Sequence, residues 1–401
     1  MTKLLETGVA AHWILPATGH VVPNAEIVVR DGLIAELKPM AAPPEGGGTT
    51  IVLPGLVNAH THLDLSTLRI PVTAKKPVDW LHRVVQARTQ DQPGDAAQRI
   101  HAGVLELLDF GVTLVGDISS GGLTSELFPT LPMWGVVFHE ILGLSDARGN
   151  HFWQQMIKRL HEYPATDNWQ WGISPHAPYS THRQLIEAAA RLDIGPVCIH
   201  LAEFSCEKSL LEENSGELAR FLQEINLWHP ANLAPHWEWI RWKLRRASQA
   251  IYVHANYLPR TPAFHHNEAV IYCPRTHQAF GHPKYPLSEL LQAQVKVALG
   301  TDSHASTPNL DPLAEACLVR QQFPDIPPEM ILQMITRWGA EMLGFAHCTG
   351  SLEVGKSADL VMIQAPTRLK TVDEVYHFLF SGAAIGLPRT TMWRGKWRRR
   401  E

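Results

Sequence analysis

Eight runs of apolar, largely β-branched residues end in turn or polar residues, and helical periodicity fills the longer gaps between them. They read "GLVNAH" (55–60), "VTLVGDIS" (112–119), "MWGVVFHEI" (133–141), "WQWGISPHA" (169–177), "PVCIHLAE" (196–203), "AIYVHANY" (250–257), "AVIYCPRTH" (269–277) and "VKVALGTDS" (295–303). Strands so continuously apolar have both faces covered, as in a parallel sheet wrapped by helices. In "AAQRIHAGVLELLDFG", Ile100, Val104, Leu107 and Leu108 fall on one helical face, and Gly111 follows as a stop. "STHRQLIEAAARLDIG" opens with Ser180 or Thr181 as N-cap and ends at Gly195. Eight strands alternating with helices predict an α/β fold, a (β/α)8 TIM barrel.

The flanks differ. Residues 1–54 hold short strand signals around an Asp-Gly turn, and residues 350–401 hold more, in "GSLEVGKSADLVMI" and "TTMWRGKW". Neither flank can bury a core alone. The two are therefore expected to pair into one small β-sandwich, parts 1–54 and 350–401, beside a barrel domain over 55–349. Residues 227–247, after the fifth strand, carry four tryptophans among basic residues and prolines. Two readings stand open there: a lid or subunit contact over the barrel mouth, and a loop anchored by its tryptophans.

Of 401 residues, 45% are hydrophobic and 18% charged, and the net charge is −4, so no global field recruits nucleic acid or an anionic membrane. The basic run "RGKWRRRE" reads as solvated surface. No apolar segment approaches membrane-spanning length, and the N-terminus lacks a clean signal-peptide pattern. Five cysteines without a C-x-x-C pair argue against a disulfide framework and fit a reducing, cytoplasmic setting.

Histidine is abundant, at 22 residues, and several histidines end strands. In a (β/α)8 barrel the C-terminal strand ends build the active site. His60 and His62 alternate on an extended strand and so share a face. The fifth strand ends in His200 and Glu203, the sixth in His254, and the eighth in Asp302. A carboxylate buried without a partner is costly, so Asp302 requires a cation or hydrogen-bond donors. Three imidazoles and a carboxylate around one ion fulfil that need, which predicts a mononuclear metal centre. Zn²⁺ is the expected ion, one per chain, and Fe²⁺ accepts the same ligands.

Taken as a set, "LPGLVNAHTHLD", "SPHAPYST", "IHLAE", "YVHANY", "YCP" and "ALGTDS" resemble the amidohydrolase superfamily. Within it they resemble the branch of cytosine, guanine and S-adenosylhomocysteine deaminases and triazine chlorohydrolases. "GSLEVGKSADLVMI" resembles the C-terminal sandwich signature of that branch. The resemblance implies His60, His62, His200 and Asp302 as metal ligands, Glu203 as proton shuttle and His254 as the group orienting the attacking water. It places His176 against substrate. One departure is Cys273-Pro274-Arg275-Thr276-His277, where many relatives read C-P-x-S-N. Arg275 and His277 are thus expected at the mouth as substrate contacts. The carboxylate that ribose-binding relatives carry after the first strand has no clear match, and Trp80 and Arg88 occupy that neighbourhood.

A divalent ion lowers the pKa of bound water from about 15.7 to about 7. The hydroxide so formed would attack an amino-bearing sp² carbon of a purine- or pyrimidine-like ring. Glu203 would take the water's proton and pass it on, general acid–base work valued at roughly 10²–10⁴-fold. The expected activity is therefore a hydrolytic deaminase of a small heterocyclic substrate, an adenosine derivative first, with aminodeoxyfutalosine one member of that class. The alternatives are dechlorination or another C–N hydrolysis of such a ring, and a non-catalytic binding barrel. Glu203 favours deamination, because ammonia needs a proton to leave and chloride does not. His82, His101 and His161 read as surface, His265 and His266 take no role, and His304 and Tyr179 read as packing before substrate contact. A homodimer is expected on fold analogy alone.

Overall fold

The computed structural model describes residues 6–72, 77–92, 94–259 and 263–398. All eight predicted strands form and pair in chain order into one parallel sheet. Four earlier strands precede them: β1 (Glu6–Ile14), β2 (Val22–Arg30), β3 (Leu33–Pro39) and β4 (Thr49–Pro54). The barrel strands are β5 (Leu56–Thr61), β6 (Val112–Ser120), β7 (Trp134–Ile141), β8 (Trp169–Pro175), β9 (Val197–Leu201), β10 (Ala250–His254), β11 (Glu268–Tyr272) and β12 (Val297–Leu299). Every residue of β5, β7, β9, β10, β11 and β12 is buried, as strands covered on both faces must be.

Alternation within the strands separates two cores. Val57, Leu114, Val136, Cys198, Ile251, Ile271 and Ala298 share one cluster, while neighbours such as Tyr252, Val270 and Leu299 pack in another with the helices. Last strand meets first through both side-chain and backbone bonds. Asn58 Nδ2 donates to Thr301 Oγ1 at 2.7 Å, the Thr301 N–H returns a bond to Asn58 Oδ1 at 3.1 Å, and the Asp302 N–H reaches the His60 carbonyl at 3.1 Å. That closure brings the two polar strand ends side by side.

Eight helices matter to the site: α1 (Pro77–Thr89), α2 (Asp95–Asp109), α3 (Asp146–Glu162), α4 (Arg183–Ala189), α5 (Cys206–Glu213), α6 (Gly216–Glu224), α7 (Trp237–Leu244) and α8 (Pro274–Phe280). The predicted apolar stripe of α2 is buried at all four positions. α4 departs from expectation: its cap is His182, whose side chain accepts the Gln184 N–H, and it stops at Ala189 rather than running towards Gly195. The alternation is also incomplete, since the described connections after β6 and β10 contain no α-helix.

The two chain ends do meet. β13 (Leu360–Ala365) pairs antiparallel with β4 and with β14 (Arg389–Trp393), which carries β15 (Lys396–Trp397), giving one seven-stranded mixed sheet. Its edge strand β3 also meets the segment leading into β13: the Ile34 N–H donates to the Lys356 carbonyl at 2.8 Å. The sheet is tied to the barrel by Arg389, whose guanidinium forms a bidentate pair with buried Asp311 at 2.6 and 2.7 Å. The helix of the Trp-rich segment is anchored, while Leu227 at its start lines a cavity at the barrel rim. Trp237, Ile240, Arg241 and Leu244 of α7 are buried against the body, and only Trp242 stands well out at 55% exposure. The last three residues of the basic run lie outside the described residues. Among the described residues no helix is long and apolar enough to cross a membrane.

Candidate active site at the barrel rim

The strand-end rule brings together residues far apart in sequence. His60 and His62 leave β5, His200 ends β9, and a ligand nitrogen from each lies within 4.8 Å of the others. The Nε2 atoms of His62 and His200 stand 3.2 Å apart. Two nitrogens bound to one zinc ion at about 2.0–2.1 Å are separated by roughly 3.3 Å in a tetrahedron. His200 is held ready: its Nδ1 is 2.8 Å from the His176 carbonyl, which can only accept, so Nδ1 carries the proton and Nε2 presents its lone pair. His60 is fully buried and neither of its ring nitrogens has a partner. Leaving such atoms unmet costs about 1–3 kcal/mol each, a cost that a bound cation removes. The donor set therefore fits a metal ion.

Asp302 lies beside these histidines. Its Oδ1 is 3.8 Å from the Nε2 atoms of both His60 and His62. Those contacts are not ion pairs, because burial, reinforced by neighbouring imidazoles, holds both histidines well below their ordinary pKa and so neutral. Burial also lowers His200 and His176 to about 3. Neutral imidazole is the form that binds metal. Asp302 itself is pushed up to about 6 by burial, against hydrogen bonds from the Ser303 N–H and the Ser306 hydroxyl, each at 2.8 Å.

Glu203 and His254 stand together on the same rim, with Oε1 3.7 Å from Nε2. Burial, then the charges of Asp302 and Glu207, raises the Glu203 pKa well above its ordinary value, which favours holding a proton. The backbone bends sharply where these groups leave their strands. Ala202, His254, Ala255 and Asp302 all adopt left-handed φ, between 51° and 66°. A non-glycine residue there costs on the order of 1–3 kcal/mol, and such strain gathers at functional sites.

A cavity of about 410 Å³ opens over this rim. Its inner wall is polar, with His176, Arg88 and Glu140; its outer wall is apolar, with Leu81 and Val84 of α1 facing Phe221, Leu222 and Ile225 around α6. His176, Trp80 and Arg88, the expected substrate contacts, all line this cavity. Trp80 is pinned by its indole N–H to the Ala305 carbonyl at 2.9 Å. Arg88 spans Asp64 at 3.0 Å and Glu140 at 3.5 Å.

Arg275 and His277 do not reach the cavity. The strand ends at Tyr272, and Pro274 begins α8 instead, which turns both side chains into the body. Arg275 is bound to Glu315 at 2.6 Å and to Asn309 at 2.7 Å, while His277 packs among Tyr272, His282 and Tyr285. His304 accepts the Thr67 N–H and meets Glu106 at 3.0 Å, a structural latch. Tyr179 does line the cavity. Sequence reasoning missed Glu140, which ends an apolar strand just as His200 does and answers to the same rule. It also missed Asp64, because a 3-10 turn at Leu63–Leu65 breaks the strand alternation after His62.

A nearly closed parallel barrel with buried imidazoles and two carboxyl groups at its C-terminal rim defines a metal-dependent barrel hydrolase. The chain belongs to the amidohydrolase family, whose model matches residues 51–397, and that family is metal-dependent. An aminodeoxyfutalosine deaminase of a Nitratiruptor species is 26% identical over 343 residues, 82% of each chain. The crystal structure of Helicobacter pylori aminofutalosine deaminase superposes with a TM-score of 0.83 at 20% identity, covering 98% of this chain and 100% of that one. An adenosine deaminase from Xanthomonas campestris, solved with bound zinc, gives 0.78 at 23% identity, covering 97% of this chain and 92% of that one.

Proposed function

We propose that this amidohydrolase is a hydrolytic deaminase that replaces the exocyclic amino group of a purine- or pyrimidine-like ring with oxygen, adenosine derivatives first. The single observation that carries the reading is the placement of the buried Glu203 carboxyl, 3.7 Å from His254 and beside the candidate metal ligands. His60, His62, His200 and Asp302 would hold one divalent ion, Zn²⁺ by the chemistry of three imidazoles and one carboxylate. When bound, that ion supplies Lewis acidity and a water acidic enough to ionise near neutral pH.

The remaining work belongs to the chain. His254, neutral by burial, orients the nucleophilic water by hydrogen bonding. Glu203, which favours holding a proton, gives it to the ring nitrogen next to the attacked carbon. It then takes one from the water and passes that to the amino group, which leaves as ammonia, and the proton of the added hydroxyl returns to Glu203. His176 and Arg88 face the ring and its substituent from the inner wall, and the apolar outer wall excludes water. The name of the Nitratiruptor relative favours adenosine-like substrates over free bases. Ammonia release from a panel of aminated purines, pyrimidines and 5′-substituted adenosines by zinc-loaded protein tests the reading. Turnover of at least one adenosine derivative is expected, and silence across the panel overturns it.

A further inference from the structure

Glu207 lies one turn beyond Glu203, at the start of α5, and is fully buried. Its carboxylate gathers four donors. Oε1 accepts the N–H of Glu203 at 2.7 Å and of Phe204 at 3.0 Å; Oε2 accepts the N–H of Ala202 at 2.9 Å and the indole N–H of Trp237 at 3.3 Å. Three consecutive amides, with Glu203 in the middle, thus converge on one side chain. Ala202, the first of them, is one of the left-handed residues of the rim, so the turn is bent against its own preference. Such a turn lacks the ladder bonds that fix a strand, and something outside it must hold it.

From this geometry we infer that Glu207 is a positioning residue for catalysis, clamping the 202–204 turn so that the Glu203 carboxylate stands beside His254. The inference rests on the proton-carrier reading of Glu203 given above. Both carboxylate oxygens are needed, since each serves two donors. A glutamine there keeps one accepting oxygen but turns an NH2 group toward the donors on the other side. Trp237 extends the clamp to α7, so the Trp-rich segment touches the site's support through its indole N–H as well as lining the cavity through Leu227.

Two measurements decide the matter. In zinc-loaded Glu207→Gln, adenosine turnover should lose about 10–100-fold in kcat with KM within about threefold of wild type, as a misplacement near 1 Å predicts. Metal content should be unchanged. Because Glu207 acts through Glu203, adding Glu207→Gln to Glu203→Gln should cost nothing further, whereas a merely structural role would multiply the two losses. Independently of turnover, hydrogen exchange of the wild-type protein should find the 202–204 amides as protected as those of β9. Wild-type kcat in Glu207→Gln, multiplicative losses, or rapid exchange at 202–204 each overturns the inference, and the exchange result stands even if the variant fails to fold. A fully active Glu203→Gln would instead sink the proton-carrier reading itself, while an inactive Glu203→Gln beside a wild-type-like Glu207→Gln sinks only the clamp.

Discussion

His62 and His200 face each other Nε2 to Nε2 at 3.2 Å across a separation of 138 residues in the chain. His200 offers a lone pair there, because its other nitrogen donates to the His176 carbonyl. A second neutral imidazole can satisfy that lone pair only by placing its own proton between them, whereas a cation satisfies both rings and His60 as well. His60→Ala should therefore lose bound metal together with activity. Elemental analysis after chelation and reloading checks this, and a variant that still loads one zinc per chain removes His60 from the ligand set.

Glu203→Gln preserves shape and hydrogen-bonding reach while removing the group that takes a proton. Metal content should stay at the wild-type level and kcat should fall by about 10²–10⁴-fold, the range usual for loss of a general acid–base group. Steady-state ammonia release, read beside zinc stoichiometry, separates this outcome from simple loss of the ion.

Phe221 projects from α6 into the apolar outer wall and meets His82 edge-on at 4.7 Å. Truncation to alanine removes apolar surface worth about 1.5–3 kcal/mol when fully covered by a ligand. For a 5′-alkylated adenosine, KM should rise roughly tenfold with kcat little altered. Equal effects on adenine and on the alkylated nucleoside would move the distal substituent elsewhere.

The pair Arg241–Glu268 is buried behind α7, with guanidinium to carboxylate contacts at 3.1 and 3.0 Å. Tyr252 adds its hydroxyl at 2.7 Å. Removing Arg241 leaves the buried Glu268 charge with only Tyr252, the His265 N–H and the looser Arg245 contact at 3.6 Å, a loss of at most about 3–5 kcal/mol. Arg241→Met should lower the unfolding temperature by several degrees while zinc content in the folded fraction is kept.

Burial alone would raise Glu268, but hydrogen bonds from Arg241, the His265 N–H and Tyr252 outweigh it and hold its pKa below the ordinary 4.5. The unfolded chain then binds this proton more readily than the folded one. Its stabilisation is complete above 4.5 and is lost as pH falls through the lowered folded value. Unfolding midpoints followed into acid should fall less steeply in Glu268→Gln than in wild type. Parallel curves would assign the acid loss to other carboxylates.

The strands were legible because burial on both faces writes itself locally, as an unbroken apolar run. The same locality exposed His60, His62, His200, His254 and Asp302, since a polar residue ending such a run stands out against it. Arg275 and His277 misled for a local reason too: Pro274 can end a strand or begin a helix, and only the packing of Arg275 on Glu315 decides which. Glu207 gave no sign at all. An acidic residue early in a helix reads as ordinary, and its four donors come from a turn and from an indole 30 residues away.

By itself, then, the sequence determined the order and number of barrel strands, the pairing of the two chain ends, and the strand ends bearing the candidate metal ligands. Tertiary structure alone decided which polar groups share the cavity: Arg88 between Asp64 and Glu140, α6 as its outer wall, and Asn58 locked to Thr301 where the barrel closes. The division has a physical cause. Hydrophobic periodicity acts within a few residues and is written along the chain, whereas a hydrogen bond or ion pair between distant side chains depends on distances that exist only once the strands have closed into a ring.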